Sequence, residues 1–212
     1  MAKRSTATGP DLLDLAYQQI AEEGLAGFSR VALARGSGRK LAEVYEEFPT
    51  RTAALAALGR RLDRAMLAID PAELDGMTVR ERLFELIMRR LEAMAPYREG
   101  LRRLARESRR EPAFLLQSLC NLERFVGWLT EAAGIRCRGL LAVAARPALI
   151  AVYVRVFEVW LADESPDLAR TLAALDRHLD RLERLAGWLR RRPSPRSGAG
   201  PGAAAAAEPA AG

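Results

Sequence analysis

The sequence predicts an all-α chain: a small N-terminal three-helix head containing a helix-turn-helix, followed by a larger helical body. Three observations carry this. Apolar residues recur at three- and four-residue spacing in segment after segment, as in Leu12, Ala16 and Ile20 or Leu172, Leu175 and Leu179. The segments are punctuated by proline, glycine and helix-capping residues. Between two short helical stretches near the N-terminus stands Gly36-Ser37-Gly38, the kind of short glycine turn that joins the helices of a helix-turn-helix. With 212 residues, half of them hydrophobic, the chain can build a substantial core in one domain or in a small domain plus a larger one.

Residues 1–9 read as a disordered arm, and Pro10 with Asp11 suits a first helical turn. The helix behind them, with Leu12, Leu13, Ala16, Tyr17 and Ile20 on one side, is expected to run to about Glu23. Ser29 then caps a short helix carrying Leu33 and Ala34. After the glycine turn a second short helix runs from Arg39 to about Glu47, its inner face anchored by Leu41, Val44, Tyr45 and Phe48. Pro49 stops it and Thr50 caps a long third helix with Leu55, Leu58, Leu62 and Met66 on one face and Arg60, Arg61, Asp63 and Arg64 on or near the other. The head thus spans residues 10–58 and the body 59–192.

In the body, Pro71 and Asp75-Gly76 mark a break, and Thr78 with Glu81 forms a capping box for a helix to about Met94. A basic helix follows from Tyr97 to Arg110, with Leu101 and Leu104 as apolar anchors. Pro112 opens another, whose Phe114, Leu115, Leu119, Leu122, Phe125, Val126 and Leu129 are expected to face inward; Cys120 reads as a small core residue. The most apolar stretch is 139–161. It is long enough to span a bilayer, but Arg146, Pro147, Arg155 and Glu158 favour a doubly buried helix instead. Ser165-Pro166-Asp167 is a helix start, and Leu168, Leu172, Leu175, Leu179, Leu182, Ala186 and Leu189 form a heptad seam that must pack on a neighbouring helix. The Pro, Gly, Ala and Ser composition of 193–212 reads as a disordered tail.

The head resembles the TetR family of bacterial transcriptional regulators. Glu22, Glu23 and Gly24 close its first helix; Ser29, Leu33 and Ala34 stand where the family has Thr, Ile and Ala; Gly38 holds the turn glycine; Val44, Tyr45, Phe48, Pro49 and Arg51 complete the pattern. The resemblance covers Leu12 to Leu58, and it implies a dimer whose last two helices form a four-helix interface. It nominates Ser29, Arg35, Arg39, Lys40 and Tyr45 as DNA-contacting residues, with Arg39 and Lys40 in the major groove and Tyr45 on a phosphate. Arg30 departs from the pattern where an apolar residue usually packs, and Glu43, Glu46 and Glu47 place negative charge on the helix that would approach phosphates.

Charge alone is uninformative about DNA. The formal +6 sits mostly at the ends, on Lys3, Arg4, Arg190, Arg191, Arg192 and Arg196. Two cysteines, Cys120 and Cys137, are too few for a disulfide scaffold or a zinc site. One histidine, His178, among charged helix neighbours, and no glycine-rich phosphate loop leave no catalytic residue to nominate, and neither a metal nor a cofactor is expected. The N-terminus has no apolar region of a signal peptide, so a cytoplasmic protein is the expectation.

The body resembles a second group. Arg90-Leu91 with Met94, Pro96, Tyr97 and Arg98, the helix around Trp128, and Trp160-Leu161 with Asp163, Ser165 and Asp167 are similar to a TetR-fold family of ubiquinone-biosynthesis accessory proteins. That resemblance implies lipid in a body cavity. Phe114, Phe125, Trp128, Tyr153, Phe157 and Trp160 are the candidate pocket lining, or else ordinary core. Gly187, Trp188 and Leu189 before Arg190, Arg191 and Arg192 read as a solvated helix end, or in that alternative as an anchor on an anionic membrane surface. The function expected first is a dimeric repressor that binds operator DNA and is released by a small apolar effector. The alternative is a lipid- or quinone-binding accessory protein with a relict helix-turn-helix.

Overall fold

The structure is a computed structural model that describes residues 10–107, 111–136 and 140–191, without the side chains of 140–142 and 188–191. The expected arm and tail, Cys137, Ser108 to Arg110, Arg192 and the side chains of Trp188 to Arg191 lie outside the described residues. Among the described residues every regular element is helical.

The head begins with α1 (Leu12–Gly27), capped by the Asp11 carboxylate, which accepts the Leu13 N–H at 2.8 Å. Leu12, Leu13, Ala16, Tyr17 and Ile20 are buried, as their spacing required. The helix is interrupted at Gly24, whose φ of 75° only glycine takes without strain, so the expected end near Glu23 is a break with one more turn beyond it. Then come α2 (Arg30–Ser37) and α3 (Leu41–Glu47). The fourth helix, α4 (Arg51–Leu67), is continuous through the expected 58/59 boundary and carries the head into the body.

The body consists of α5 (Val79–Met94), α6 (Arg98–Glu107), α7 (Pro112–Ala132), α8 (Leu140–Ala162) and α9 (Ala169–Arg191). Both halves of the Thr78–Glu81 capping box form. Helix α6 lies along α1 and reaches α8 at its other side, where Arg98 and Arg102 donate to the carbonyls of Asp163 and Leu161 at 2.8 Å and 2.6 Å. Guanidinium groups thus satisfy the unpaired carbonyls at the end of α8. Within the chain the α9 seam packs on α8 and α5, with Leu175 and Leu179 buried and Leu168, Leu172 and Leu182 partly so.

Several expectations are corrected. Leu115 and Leu119 do not face inward; they are exposed, as is Cys120, because among the described residues no helix covers the N-terminal half of that face of α7. Asp63 lies in the core rather than on the polar side of α4. Leu41 and Tyr45, expected on the inner face of α3, are instead exposed, so Val44 and Phe48 alone anchor α3. Ser165-Pro166-Asp167 does not start α9. It forms a turn closed by Asp163, which accepts from Ser165 and from both the N–H and the hydroxyl of Thr171, and α9 begins only at Ala169, after Leu168 at φ 54°. Among the described residues no helix is long and apolar enough to cross a membrane.

Candidate nucleic-acid interface

The α2–α3 unit is built by short-range contacts. Ser29 caps α2, its Oγ accepting the Ala32 N–H at 3.3 Å, and its own N–H is held by Gln19 of α1 at 3.0 Å. Gly38 takes the left-handed conformation, φ 68°, that turns the chain from α2 into α3. Beneath the turn the buried Ser37 hydroxyl donates to the Leu33 carbonyl at 2.7 Å. Val44 and Phe48 are fully buried and fix α3 on the head core. Arg30, the departure from the family pattern, is accommodated: its guanidinium bonds the Phe48 and Pro49 carbonyls, both at 3.3 Å, and ties α2 to the end of α3.

The outer surface of this unit holds the nominated residues. Arg35, Lys40 and Tyr45 are exposed, Tyr45 at 59%, while Ser29 is partly buried in its capping role. Arg39 is different. Its guanidinium pairs with Glu47 at 3.1 Å, across the length of α3. One acid of the recognition helix is therefore occupied by a neighbouring cation, while Glu43 and Glu46 remain exposed.

Two polar clusters that sequence reasoning did not assemble fix α4, one against the head and one within the body. At the surface Arg61 of α4 bonds Asp11 at 2.6 Å, Asp14 at 2.9 Å and the Tyr97 hydroxyl at 2.6 Å, and that hydroxyl donates to Asp14 at 2.7 Å. Burial and the Asp14 bond together push the Tyr97 phenol up, although Arg61 opposes them. In the core Asp63 accepts from Arg90 of α5 and, at 2.7 Å, from Arg124 of α7. Arg90 also donates to the Tyr153 hydroxyl at 3.1 Å and lies 4.3 Å over the Phe125 ring. The signal was present in the sequence: Arg90 occupies an apolar register position of α5, between Ile87 and Leu91.

The six candidate pocket residues divide. Phe125, Tyr153, Phe157 and Trp160 form one row, with successive ring centroids 4.4, 6.3 and 5.8 Å apart, and Arg98 lies 4.4 Å over Trp160. Phe114 is buried but three turns away along α7. Trp128 is 46% exposed and does not line an interior site. An open cleft of about 570 Å³ lies elsewhere, between the α4–α5 connection and α9, lined by charged residues such as Glu73, Arg80, Glu85 and Asp176 and by none of the six. Among the described residues no cluster of three His, Cys, Asp or Glu side chains could hold a metal.

Comparison with known structures decides the fold. The crystal structure of the TetR transcriptional regulator from Nitrosomonas europaea ATCC 19718 superposes over 84% of this chain and 96% of its own, at 25% identity and a TM-score of 0.68. This chain has the TetR fold. A TetR-like transcriptional regulator from Rhodococcus sp. RHA1 aligns over 85% of this chain and 94% of its own, at 18% identity and a TM-score of 0.44, too loosely to add weight. No family model and no curated protein sequence matches the chain. The expected likeness of the body to ubiquinone-biosynthesis accessory proteins finds no support among these comparisons, whereas the TetR fold covers head and body together.

Proposed function

We propose that this chain is a TetR-type, DNA-binding transcriptional regulator, a homodimeric repressor released when a small apolar ligand enters the body. The observation that carries it is the α2–α3 unit. A capped helix, a left-handed glycine turn and a buried Val44–Phe48 anchor hold Arg35, Lys40 and Tyr45 outward on a rigid support. The neighbour named as a TetR transcriptional regulator shares the fold over almost its whole length. Arg39 and Lys40 are assigned to the major groove, Tyr45 and Arg35 to phosphates, and Ser29 to holding α2 in register. Arg39 reaches DNA by exchanging Glu47 for a base edge or a phosphate. The effector site is assigned to the Phe125–Tyr153–Phe157–Trp160 row, which an apolar ligand enters by parting α7 from α8.

The test is a titration of the protein against its own upstream intergenic DNA and an unrelated duplex, at two salt concentrations. Preferential binding to the first is expected. Arg39→Ala with Lys40→Ala should weaken it and lower the salt slope by about 1 for each phosphate no longer neutralised. Equal affinity for both duplexes, or a double variant that binds like the parent, overturns the assignment.

A further inference from the structure

Three of the four rings in the aromatic row, Tyr153, Phe157 and Trp160, come from one face of α8 and span about 10 Å at roughly 1.5 Å per residue. The two ends of the row differ. At the Tyr153 end the polar groups are matched: Arg90 has the Asp63 carboxylate, and the Tyr153 hydroxyl accepts from Arg90 and donates to Met94 Sδ. At the Trp160 end they are not. Trp160 is fully buried, and no described residue accepts from its indole Nε1–H. Arg98 lies 4.4 Å over the same ring, and its Nε is also buried without an acceptor among the described residues. Among those residues Arg98 has no carboxylate partner either. Asp163 offers it a backbone carbonyl at 2.8 Å, while the Asp163 carboxylate is taken up by Ser165 and Thr171. Buried N–H groups are ordinarily paired, so two of them left over on one stacked pair mark a place for an acceptor.

We infer that the effector is an apolar acid, an aryl or alkyl chain ending in a carboxylate. The carboxylate accepts from Trp160 Nε1 and from the Arg98 guanidinium, and the chain lies along Phe157 and Tyr153. This rests on the reading of the aromatic row as the effector site and narrows it. A neutral ligand of the same shape fills the row but leaves Arg98 without a counter-charge. A carboxylate suits the pair because it only accepts, with two oxygens for two donors, and bonds between ionised groups are roughly twice as strong as neutral ones. Placing the head group at Trp160 also fixes the direction of the chain. Its far end comes to Tyr153, the ring whose hydroxyl Arg90 holds.

Isothermal titration calorimetry on the full chain tests this with 4-phenylbutyrate and decanoate, each beside the alcohol of the same carbon skeleton, at about pH 7.5, where both acids are ionised. Each acid is expected to bind about 10- to 100-fold more tightly than its alcohol, the factor that a hydrogen bond to a charged group supplies. Trp160→Phe keeps a ring and removes the N–H; Arg98→Gln removes the charge. In both variants the acid-to-alcohol ratio of affinities should fall toward one. Because the ratio is taken within one variant, a general loosening of the row cancels from it. Acids and alcohols that bind the parent equally, or a ratio that both variants keep, overturn the carboxylate assignment and leave the row as the effector site. A parent that binds none of the four compounds overturns the row as the effector site, and this inference with it.

Discussion

Replacing Asp63 by Asn removes one charge from the core and alters little else in shape. Asp63 and Arg90 are about 5% exposed, and the carboxylate is the only charged partner of the Arg90 guanidinium among the described residues. In the variant Arg90 keeps the Tyr153 hydroxyl and the Phe125 ring but has no counter-charge, while remaining buried. Breaking a buried pair from one side costs about 3–5 kcal/mol. Arg124, a third exposed, turns to solvent and adds little. Urea unfolding followed by far-UV circular dichroism, at fixed protein concentration, should show the midpoint falling by roughly 1–2.5 M for a slope near 2–3 kcal/mol/M. The double replacement Asp63→Leu with Arg90→Met should recover most of the loss, since apolar side chains of similar volume fill such sites at little cost. Tyr153 would still have Met94 Sδ at 3.8 Å. A loss below about 0.5 kcal/mol for Asp63→Asn, the range of ordinary surface changes, would refute the reasoning.

Asp163 gives a pH signature. Burial alone would raise its pKa, but hydrogen bonds from Ser165 and Thr171 outweigh it and hold the carboxyl well below the usual carboxylate range. A depressed native pKa contributes stability that is complete above the unfolded value, about 3.9, and is lost as pH falls toward the native one. Melting temperatures of the parent and Asp163→Asn should therefore differ most at about pH 5–7, and the gap should begin to narrow only below about pH 4, still standing in large part near pH 3; a gap already closed at about pH 4 would count against it. Gly24→Ala should lower stability by more than about 1 kcal/mol, because alanine is strained at φ 75° and its Cβ would stand 2.6 Å from Glu107 Oε1; a neutral melt would contradict this.

What the sequence made legible is what short-range rules govern. The Ser29 cap, the left-handed Gly38, the Thr78–Glu81 box and the break at Gly24 each depend on residues within a few positions of one another. The heptad spacing of α9 demanded a helical neighbour, and α8 and α5 supply it. Periodicity says that a face is apolar and not what covers it. Leu115 and Leu119 belong to the same stripe as Val126, and only the packing of other helices along α7 distinguishes them. Cys120 and Trp128 were misplaced for the same reason. Asp63 read as a surface residue because its partner Arg90 lies 27 positions away on another helix. On α3, Glu47 counted as a repeller of phosphate until the fold returned Arg39 to it.

Two residues of α4 explain how the proposed effector site bears on the proposed DNA-binding unit. Arg61 points to the head, where it holds Asp11, Asp14 and Tyr97. Asp63, two positions on, points to the body, where it holds Arg90 and Arg124. Arg90 bonds the hydroxyl of Tyr153, the second ring of the aromatic row. A ligand that displaces Tyr153 must move Arg90, stretch the Asp63 pair or carry it along, and so shift α4 against the body. Close-packed interiors answer such a push by moving rigid elements rather than by local yielding. Because α4 is one unbroken helix from Arg51 to Leu67, the shift reaches Thr50 and Phe48, where α3 is anchored. In the proposed dimer the two bodies stay joined while the two heads move, and their spacing on DNA is what changes.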